Sequence, residues 1–221
     1  MAKVIIFGLA DFASLAHYYL STDSEHEVIG FSVSDEYMPQ GDPVFEGLPV
    51  VPFSQVAEHW PSSEFSFFAP MAPRKMSTLR EKVYDQIVAL GYDLISYVSS
   101  KATSFGNVRI GRNCFILEDN TIQPFVQIGD NVVLWSGNHI GHHSTIGDHT
   151  FFTSHVVLSG HCVVERNCFF GVNSTIRDGL TIAQGTFVAM ASSVMRSTEA
   201  WGVYKGNPAE KAKISSMDLR S

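Results

Sequence analysis

Apolar residues recur at every sixth position through the second half of the chain. Fifteen consecutive members of this series, from Ile110 to Val194, are apolar. Because apolar residues make up 45% of the sequence, chance would produce this series in a chosen register with a probability of only roughly 10⁻⁵, and a repeat architecture explains it better. The series is Ile110, Ile116, Ile122, Ile128, Leu134, Ile140, Ile146, Phe152, Leu158, Val164, Phe170, Ile176, Ile182, Val188 and Val194.

The other positions of the six-residue unit, counted from its apolar residue, indicate how the unit folds. The fifth position is mostly small and is expected to point inward. The fourth position is almost always Gly, Asn, Asp or His, which tolerate a positive φ, so a tight corner should follow each short strand; Phe125 and Ala191 are the exceptions. Three strands and three corners make a triangular coil of eighteen residues. Fifteen units of six residues give ninety residues, or five coils, which predicts a parallel β-helix of the hexapeptide type.

The first hundred residues alternate strand-like and helix-like segments instead. This alternation predicts a small α/β domain with a parallel, Rossmann-like βαβ sheet over residues 1–100. The repeat predicts a β-helix domain over 101–196, and a tail, 197–221, in which a short polar helix starts near Glu210. The expected strands and helices of the first domain are Lys3–Phe7, a helix over about Asp11–Leu20, Glu27–Val33, Leu48–Val51, Phe65–Ala69, a helix with Thr78 and Glu81 as a capping box that ends at Gly91, and Leu94–Val98.

The composition limits the classes of binding partner and the cellular compartment that are expected for this chain. The net charge of −7 argues against a nucleic-acid footprint, and no apolar run approaches the length of a membrane span. The N-terminal segment has the pattern of a first strand and lacks the cleavage site of a signal peptide. Since the three cysteines are an odd number within the repeat, a reduced, cytoplasmic protein is the simplest interpretation.

The register separates His142 from most other histidines. It stands at the third position, where a corner does not require histidine, and its neighbours one coil away are Pro124 and Gly160. His139, at the sixth position, is likewise not required by a corner. Histidine is the natural general base near neutral pH, and the bare N–H of Gly160 could serve as an oxyanion donor. The alternative for His142 is a solvated turn residue.

Structural roles are expected for the other histidines and the cysteines of the repeat. The corner histidines share the fourth position and are His143, His149, His155 and His161. The cysteines share the inward fifth position and are Cys114, Cys162 and Cys168. A small buried thiol of this kind is usually inert, which argues against a cysteine nucleophile.

Several segments together resemble one family. A short α/β domain precedes LISYVSSKATSFGNVRIG, the repeat contains GHHSTIGDHTFF, and the tail contains GVYKGNPAEK. The chain resembles the bacterial hexapeptide-repeat sugar acetyltransferases related to sialic acid O-acetyltransferase, which include N-acetyltransferases of nucleotide-linked 4-amino-sugars. The resemblance implies a left-handed β-helix that forms a homotrimer, acetyl-CoA as co-substrate in a groove between subunits, the acceptor nucleotide in the N-terminal domain, and no metal.

The resemblance also implies roles for particular residues. It makes His142 the general base and Gly160 the backbone donor, the pair that the register selects independently. The family has a carboxylate where this chain has His143. Either another group, with Glu118 and Asp119 as the nearest acids in the coil stack, supplies that charge, or the base works without one.

Binding residues follow from the same resemblance. For acetyl-CoA they are Gly160, Met190, Gly206, Pro208 and Ala209, and for the acceptor they are Gly8, Asp11 and Asp35. Two roles are open for the lysines of the tail: they bind the CoA phosphates, or they are solvated surface residues. These lysines are Lys205, Lys211 and Lys213. Asp35 has two possible roles: its carboxylate accepts a hydrogen bond from the ribose or the base of the nucleotide, or it is a turn residue. The turn after Gly8 lacks the family's further glycines, so the acceptor need not be that of the best-known members.

The predicted function is acetyl transfer from acetyl-CoA to the amino group of a nucleotide-linked amino-sugar, in the biosynthesis of bacterial surface polysaccharide such as lipopolysaccharide O-antigen. Three alternatives stay open: O-acetylation of a sugar hydroxyl such as that of sialic acid, a γ-class carbonic anhydrase-like zinc enzyme, and a non-catalytic scaffold. The missing carboxylate beside His142 favours an amine acceptor. No two histidines of the repeat are five residues apart, which is the ligand spacing of the zinc class.

Overall fold

The computed structural model describes residues 1–41 and 43–219 and contains two compact units. The first consists of Met1–Ala72 and Lys82–Tyr97, and the second of Pro73–Glu81 and the chain from Val98 onward. None of the helices in these described residues is both long and apolar enough to cross a membrane.

The first unit is built on a five-stranded sheet with the order β3-β4-β2-β1-β5. Strand β1 pairs in parallel with β2 and β5, β2 pairs in parallel with β4, and β3 pairs antiparallel with β4. Its core includes Ile5, Phe67 and Ile87, all fully buried. The strands and helices up to the repeat are β1 Lys3–Phe7, α1 Asp11–Asp23, β2 Glu27–Val33, β3 Val44–Phe45, β4 Leu48–Pro52, α2 Val56–His59, β5 Phe65–Phe68, α3 Thr78–Ala89 and β6 Tyr97–Val98.

Most predicted elements of the first unit are confirmed, and two details are wrong. Strands β1 and β2 have the predicted bounds, whereas the expected strand Leu94–Val98 is reduced to a single bridge from Leu94 to Phe67 and the short β6. The capping box is absent. The Thr78 hydroxyl donates to the carbonyl of Lys75 at 2.8 Å instead of accepting a helix N–H, and Glu81 is engaged by Arg166 and Asn167.

The second unit is a left-handed parallel β-helix of hexapeptide repeats. Its two-residue strands pair in parallel with the strand eighteen residues later, as between Val133 and Phe151. They form sheet I (β7, β10, β13, β16, β19, β22), sheet II (β8, β11, β14, β17, β20) and sheet III (β9, β12, β15, β18, β21, with β6 at one end and β23 and β24 at the other). The strands are β7 Thr103–Ser104, β8 Arg109–Ile110, β9 Phe115–Ile116, β10 Thr121–Ile122, β11 Gln127–Ile128, β12 Val133–Leu134, β13 His139–Ile140, β14 Thr145–Ile146, β15 Phe151–Phe152, β16 Val157–Leu158, β17 Val163–Val164, β18 Phe169–Phe170, β19 Thr175–Ile176, β20 Thr181–Ile182, β21 Phe187–Val188 and β22 Ser193–Val194.

The repeat positions have the predicted roles. The apolar series is buried except for Ile110, which is partly buried near the start of the repeat. Residues at the fourth position have positive φ throughout, including Phe125 at 69° and Ala191 at 55°. The fold therefore imposes the corner conformation even where the residue type does not favour it.

The tail differs from the prediction. Strand β23, Gly202–Lys205, continues sheet III in parallel with β21, and β24, Glu210–Ser215, pairs antiparallel with β23. The predicted helix from Glu210 is therefore wrong. Backbone pairing with the otherwise exposed edge of β23 outweighs the weak local preference of a short polar segment.

Candidate active site

The corner between sheets I and II carries three histidines, His142, His143 and His161, which we call the histidine corner. The turn after β13 passes through Gly141, where an added Cβ would lie only 2.5 Å from the backbone nitrogen of Gly160. The N–H of His142 donates to Gln123 Oε1 at 2.9 Å, and His143 takes a φ of 58°. Close coil packing and a left-handed corner thus hold the backbone of these side chains.

His142 lies against Gly160 of the next coil. A Cβ on Gly160 would be 2.9 Å from Cε1 and 3.0 Å from Nε2 of the imidazole. Among the residues that the structure describes, none accepts a hydrogen bond from the Gly160 N–H. At another corner, the equivalent N–H of Asp130 donates to an Asp148 oxygen at 2.8 Å. A ring with base chemistry and an open N–H donor therefore adjoin at this corner.

His143 occupies the place expected for the group that orients the base. Its Nδ1 lies 3.1 Å from Nδ1 of His142, so one ring donates and the other accepts. The His143 ring is sandwiched between Phe125, with centroids 4.5 Å apart, and the stacked ring of His161, at 5.0 Å. These contacts fix the orientation of His143, and Nδ1 is the ring nitrogen of His142 that faces it.

The two acids considered as charge partners are elsewhere. Glu118 and Asp119 lie in the turn between β9 and β10, at the corner between sheets III and I, and not at the histidine corner. Glu118 Oε1 accepts from the Ser136 hydroxyl at 2.6 Å. The expectation that they stand below His142 is wrong.

The predicted acetyl-CoA residues fall into two groups. Met190, 72% exposed, lies at the corner between sheets III and I. The turn from Gly206 to Ala209 is tied to the same end, because Gly206 N–H donates to Ser192 Oγ at 3.1 Å and Ala209 N–H to the carbonyl of Ser193 at 2.7 Å. Pro208 is part of this turn. Gly160 stands apart, at the histidine corner, and the outer face of sheet I runs between the two groups.

The lysines of the tail are all exposed, and one of them is paired with an acid. Lys211 forms an ion pair with Glu199, which raises the pKa of the ammonium group. Lys205 and Lys213 are exposed.

The predicted acceptor residues gather at one edge of the first unit. Gly8 follows β1 with a φ of 113°, and its N–H donates to the Ser32 carbonyl at 2.7 Å. Asp11 begins α1, and Asp35 follows β2. Both Asp35 oxygens accept from Ser54, one from the hydroxyl at 2.6 Å and one from the N–H at 3.1 Å, which lowers the pKa of Asp35. Since β1 and β2 are parallel, their carboxyl ends bring these residues to one side of the sheet.

The remaining corner histidines have packing roles. His149 is buried, and its Nδ1 accepts from Asn131 Nδ2 at 2.9 Å. Burial lowers the pKa of His149 below 6.5. His155 lies at another corner, where its Nδ1 would be 2.5 Å from a Cβ on Gly137.

The cysteines are free and buried. Burial raises the pKa of Cys168 to about 12 and also raises the pKa of Cys162. Both shifts disfavour the thiolate, so the structure agrees with the argument against a cysteine nucleophile.

A buried polar cluster was not predicted. The fully buried Arg80 donates through Nη2 to the backbone carbonyl of Asn131 at 3.0 Å and to its Oδ1 at 2.8 Å, and its guanidinium carbon lies 5.7 Å from the ring centre of Phe151. The adjacent Glu81 binds Arg166 and Asn167. The sequence gives no indication of this cluster, because Arg80 and Glu81 have the pattern expected of the first turn of an ordinary helix.

Comparison with known proteins agrees with this architecture. Residues 107–140 and 127–160 match the model of the bacterial transferase hexapeptide family (six repeats). No curated protein matches the sequence closely enough to indicate a relative.

Solved structures match both units. PerB from Caulobacter crescentus, in complex with CoA and GDP-perosamine, has 22% identity and a TM-score of 0.80, covering 96% of this chain and 98% of that one. The chain has the fold of PerB. The acetyltransferase domain of PglB from Neisseria gonorrhoeae has 16% identity and a TM-score of 0.80, covering 96% and 100%. WeeI from Acinetobacter baumannii has 18% identity and a TM-score of 0.67, also covering 96% and 100%.

Proposed function

We propose that the protein transfers an acetyl group from acetyl-CoA to the amino group of a nucleotide-linked amino-sugar, with His142 as the general base. The observation that carries the proposal is the imidazole of His142 beside the open N–H of Gly160, on a corner of a hexapeptide β-helix. The same two-unit fold occurs in PerB, whose structure holds CoA and GDP-perosamine, and in the PglB acetyltransferase domain.

The geometry supports a direct transfer without an acyl-enzyme. Nδ1 of His142 faces His143, so Nε2 is the atom that accepts the proton of the attacking amine as the new C–N bond forms. The Gly160 N–H donates to the thioester oxygen while that oxygen gains negative charge. The C–S bond then breaks, and the released thiolate takes up a proton to give free CoA.

Binding roles follow for both units. We assign acceptor binding to residues 1–100, with Gly8, Asp11 and Asp35 facing the nucleotide, and catalysis to the β-helix, residues 101–196. Acetyl-CoA would extend over sheet I from the tail, residues 197–221, toward Gly160, with Met190, Gly206, Pro208 and Ala209 at its far end. The exposed Met190 and the outward strand residues of sheet I, which are polar except for Val157, fit such a ligand.

The proposal extends to assembly and location. We propose a homotrimer in the cytoplasm that serves the biosynthesis of surface polysaccharide such as lipopolysaccharide O-antigen. The family resemblance supports these assignments, and sedimentation analysis of the purified protein tests the trimer.

Thiol release tests the reaction. The purified protein is incubated with acetyl-CoA and a panel of nucleotide-linked amino-sugars, the matching sugars with a hydroxyl in place of the amine, and free sialic acid. We expect release of CoA thiol with an amino-sugar and none with its hydroxyl analogue. If only a hydroxyl acceptor gives thiol release, the enzyme is an O-acetyltransferase instead. If none of the acceptors in the panel gives thiol release, the proposal is contradicted.

The His142→Asn variant tests the base. We expect kcat to fall by about 10²–10⁴, as for loss of a general base. His155→Asn is the matched control, because it changes a histidine at a different corner and should leave kcat unchanged.

A further inference from the structure

The histidine corner brings three imidazoles within reach of a single ion. One ring nitrogen from each of His142, His143 and His161 lies within 4.8 Å of the other two, and all three side chains are exposed. We propose that this corner binds a divalent transition-metal ion, best Zn²⁺, and that the bound ion inhibits the enzyme by occupying the base. The binding site stands on geometry alone, whereas the inhibition rests on the proposed function.

The ligand set fits zinc in type and number. Imidazole nitrogens are suitable ligands for Zn²⁺, and three of them with a water molecule complete a tetrahedral shell. Bonds of ~2.1 Å place tetrahedral ligand nitrogens about 3.4 Å apart. The two Nδ1 atoms of His142 and His143 are already 3.1 Å apart. The ligand nitrogen of His161 lies within 4.8 Å of the other two, and its exposed side chain leaves room for the ring to turn toward the ion.

The backbone beneath the three rings is already fixed. His143 and His161 have φ values of 58° and 57° on neighbouring coils, so their side chains leave the corner in the same direction. The N–H of His161 donates to the carbonyl of His142 at 2.9 Å. The ion therefore orders side chains only, which keeps the entropic cost of binding low.

A bound ion and catalysis by His142 exclude one another. The lone pair that accepts the proton of the amine belongs to the same imidazole that binds the ion, and a ligated imidazole is a poor base. The ion also places positive charge where an ammonium-like transition state would form. Zinc at this corner therefore acts against acetyl transfer, in contrast to a zinc enzyme, which would require it.

Direct metal binding is the first test. Co²⁺ is titrated into the metal-free full-length protein while its visible d–d bands are recorded, and Zn²⁺ is then added to displace it. The His161→Asn variant removes one ligand and keeps a residue type that adopts the same corner conformation at Asn113, Asn131 and Asn173. His143→Asn provides a second such variant, and His155→Asn, at another corner, is the matched control.

We expect tetrahedral Co²⁺ bands in the wild type and in His155→Asn. Loss of a direct ligand should weaken binding by at least the 10- to 100-fold seen when an outer-shell partner is lost, so His161→Asn and His143→Asn should show little or no signal. Equal binding by all four proteins would mean that the ion binds elsewhere and would overturn the site, as would the absence of any tetrahedral band in the wild type.

The activity test separates the two parts of the proposal. With an amino-sugar acceptor that works, Zn²⁺ should inhibit the wild type and His155→Asn at the concentrations at which it binds. His161→Asn, compared with its own activity in the absence of Zn²⁺, should need at least about 10-fold more Zn²⁺ for the same fractional inhibition. Equal inhibition of His161→Asn, or activation by Zn²⁺, would overturn the inhibitory role. If no acceptor works, the proposed function fails, while the Co²⁺ titration still decides the metal site.

Discussion

The imidazole of His142 fills the space beside Gly160 of the next coil that a side chain at position 160 would need. A Cβ on Gly160 would stand 2.9 Å from Cε1 of His142. The backbone does not itself require glycine there, because Gly160 is not among the residues with positive φ. Glycine is needed at position 160 because the His142 ring leaves no room there for a Cβ. A substitution at this position should therefore disturb the proposed site.

Replacing Gly160 by alanine should therefore displace the His142 ring. We expect Gly160→Ala to lower kcat by about 10- to 10²-fold, since a misplacement of ~1 Å at a reacting group can cost that much. The thermal unfolding midpoint should change little, because the three atoms nearest to the added methyl group all belong to the exposed His142 side chain.

Gly106→Ala is the matched control for this change. Gly106 has the same third position in its repeat unit, and a Cβ there would meet nothing within 4 Å. It should keep full activity. Wild-type kcat in Gly160→Ala would contradict the role given to this contact, and combining it with His142→Ala should cost no more than His142→Ala alone.

His143 offers a test of how the base is oriented without a carboxylate. Aspartate tolerates the left-handed corner and would place a negative charge beside the His142 ring, which favours the imidazolium. We expect His143→Asp to move the acidic limb of the kcat/KM–pH profile about one unit higher. His143→Asn, the uncharged control, should not move it, and identical profiles for the two variants would show that position 143 does not influence the base.

The periodic part of the chain could be predicted because each residue there repeats the environment of the residue eighteen positions away. That spacing places Gly160 next to His142 and excludes the charge partners considered above. Glu118 is twenty-four residues before His142, which is a multiple of six but not of eighteen, so it belongs to a different corner. The sequence already contained this correction.

The non-periodic parts were harder to predict, for physical reasons. The last strand, β24, forms because β23 presents an unpaired edge, and a polar segment of six residues has little preference of its own. Glu81 fits a capping box locally, but Arg166 and Asn167, more than eighty residues away, bind its carboxylate. Partners so distant in sequence leave no local signal.

The buried Arg80 should contribute strongly to stability. Its Nη2 donates to two acceptors of Asn131, and Arg80→Ala would remove the donor to the buried Asn131 backbone carbonyl and leave a cavity. We expect the free energy of unfolding, measured in urea, to fall by about 2–4 kcal/mol. Arg112→Ala is the control, because Arg112 is half exposed and its ion pair with Asp130 at the surface is worth at most about 1 kcal/mol. Equal losses in the two variants would contradict the importance of burial.

His149 should make stability depend on pH. The Asn131 amide is oriented by Arg80 and Asn113, which donate to its oxygen, so its nitrogen must donate to Nδ1 of His149. The folded state thus holds a neutral imidazole whose pKa lies below 6.5 because of burial. The unfolded chain takes up the proton first as the pH falls. The contribution of His149 to the free energy of unfolding is therefore fully present above pH 6.5 and is lost as the pH falls from there through the lower pKa of the folded state.

The His149→Asn variant isolates this contribution. Asparagine keeps the left-handed corner, as at Asn131 and Asn167 of the neighbouring coils, and offers Oδ1 to the same donor without a titrating group. Between about pH 7.5 and about pH 5.5, urea unfolding should show a smaller loss of stability in this variant than in the wild type. The exposed His155→Asn control should follow the wild-type curve, since both retain His149 and the half-buried His26, whose pKa is also lowered by burial. A slope in His149→Asn as steep as that of the control would assign the pH dependence to other groups.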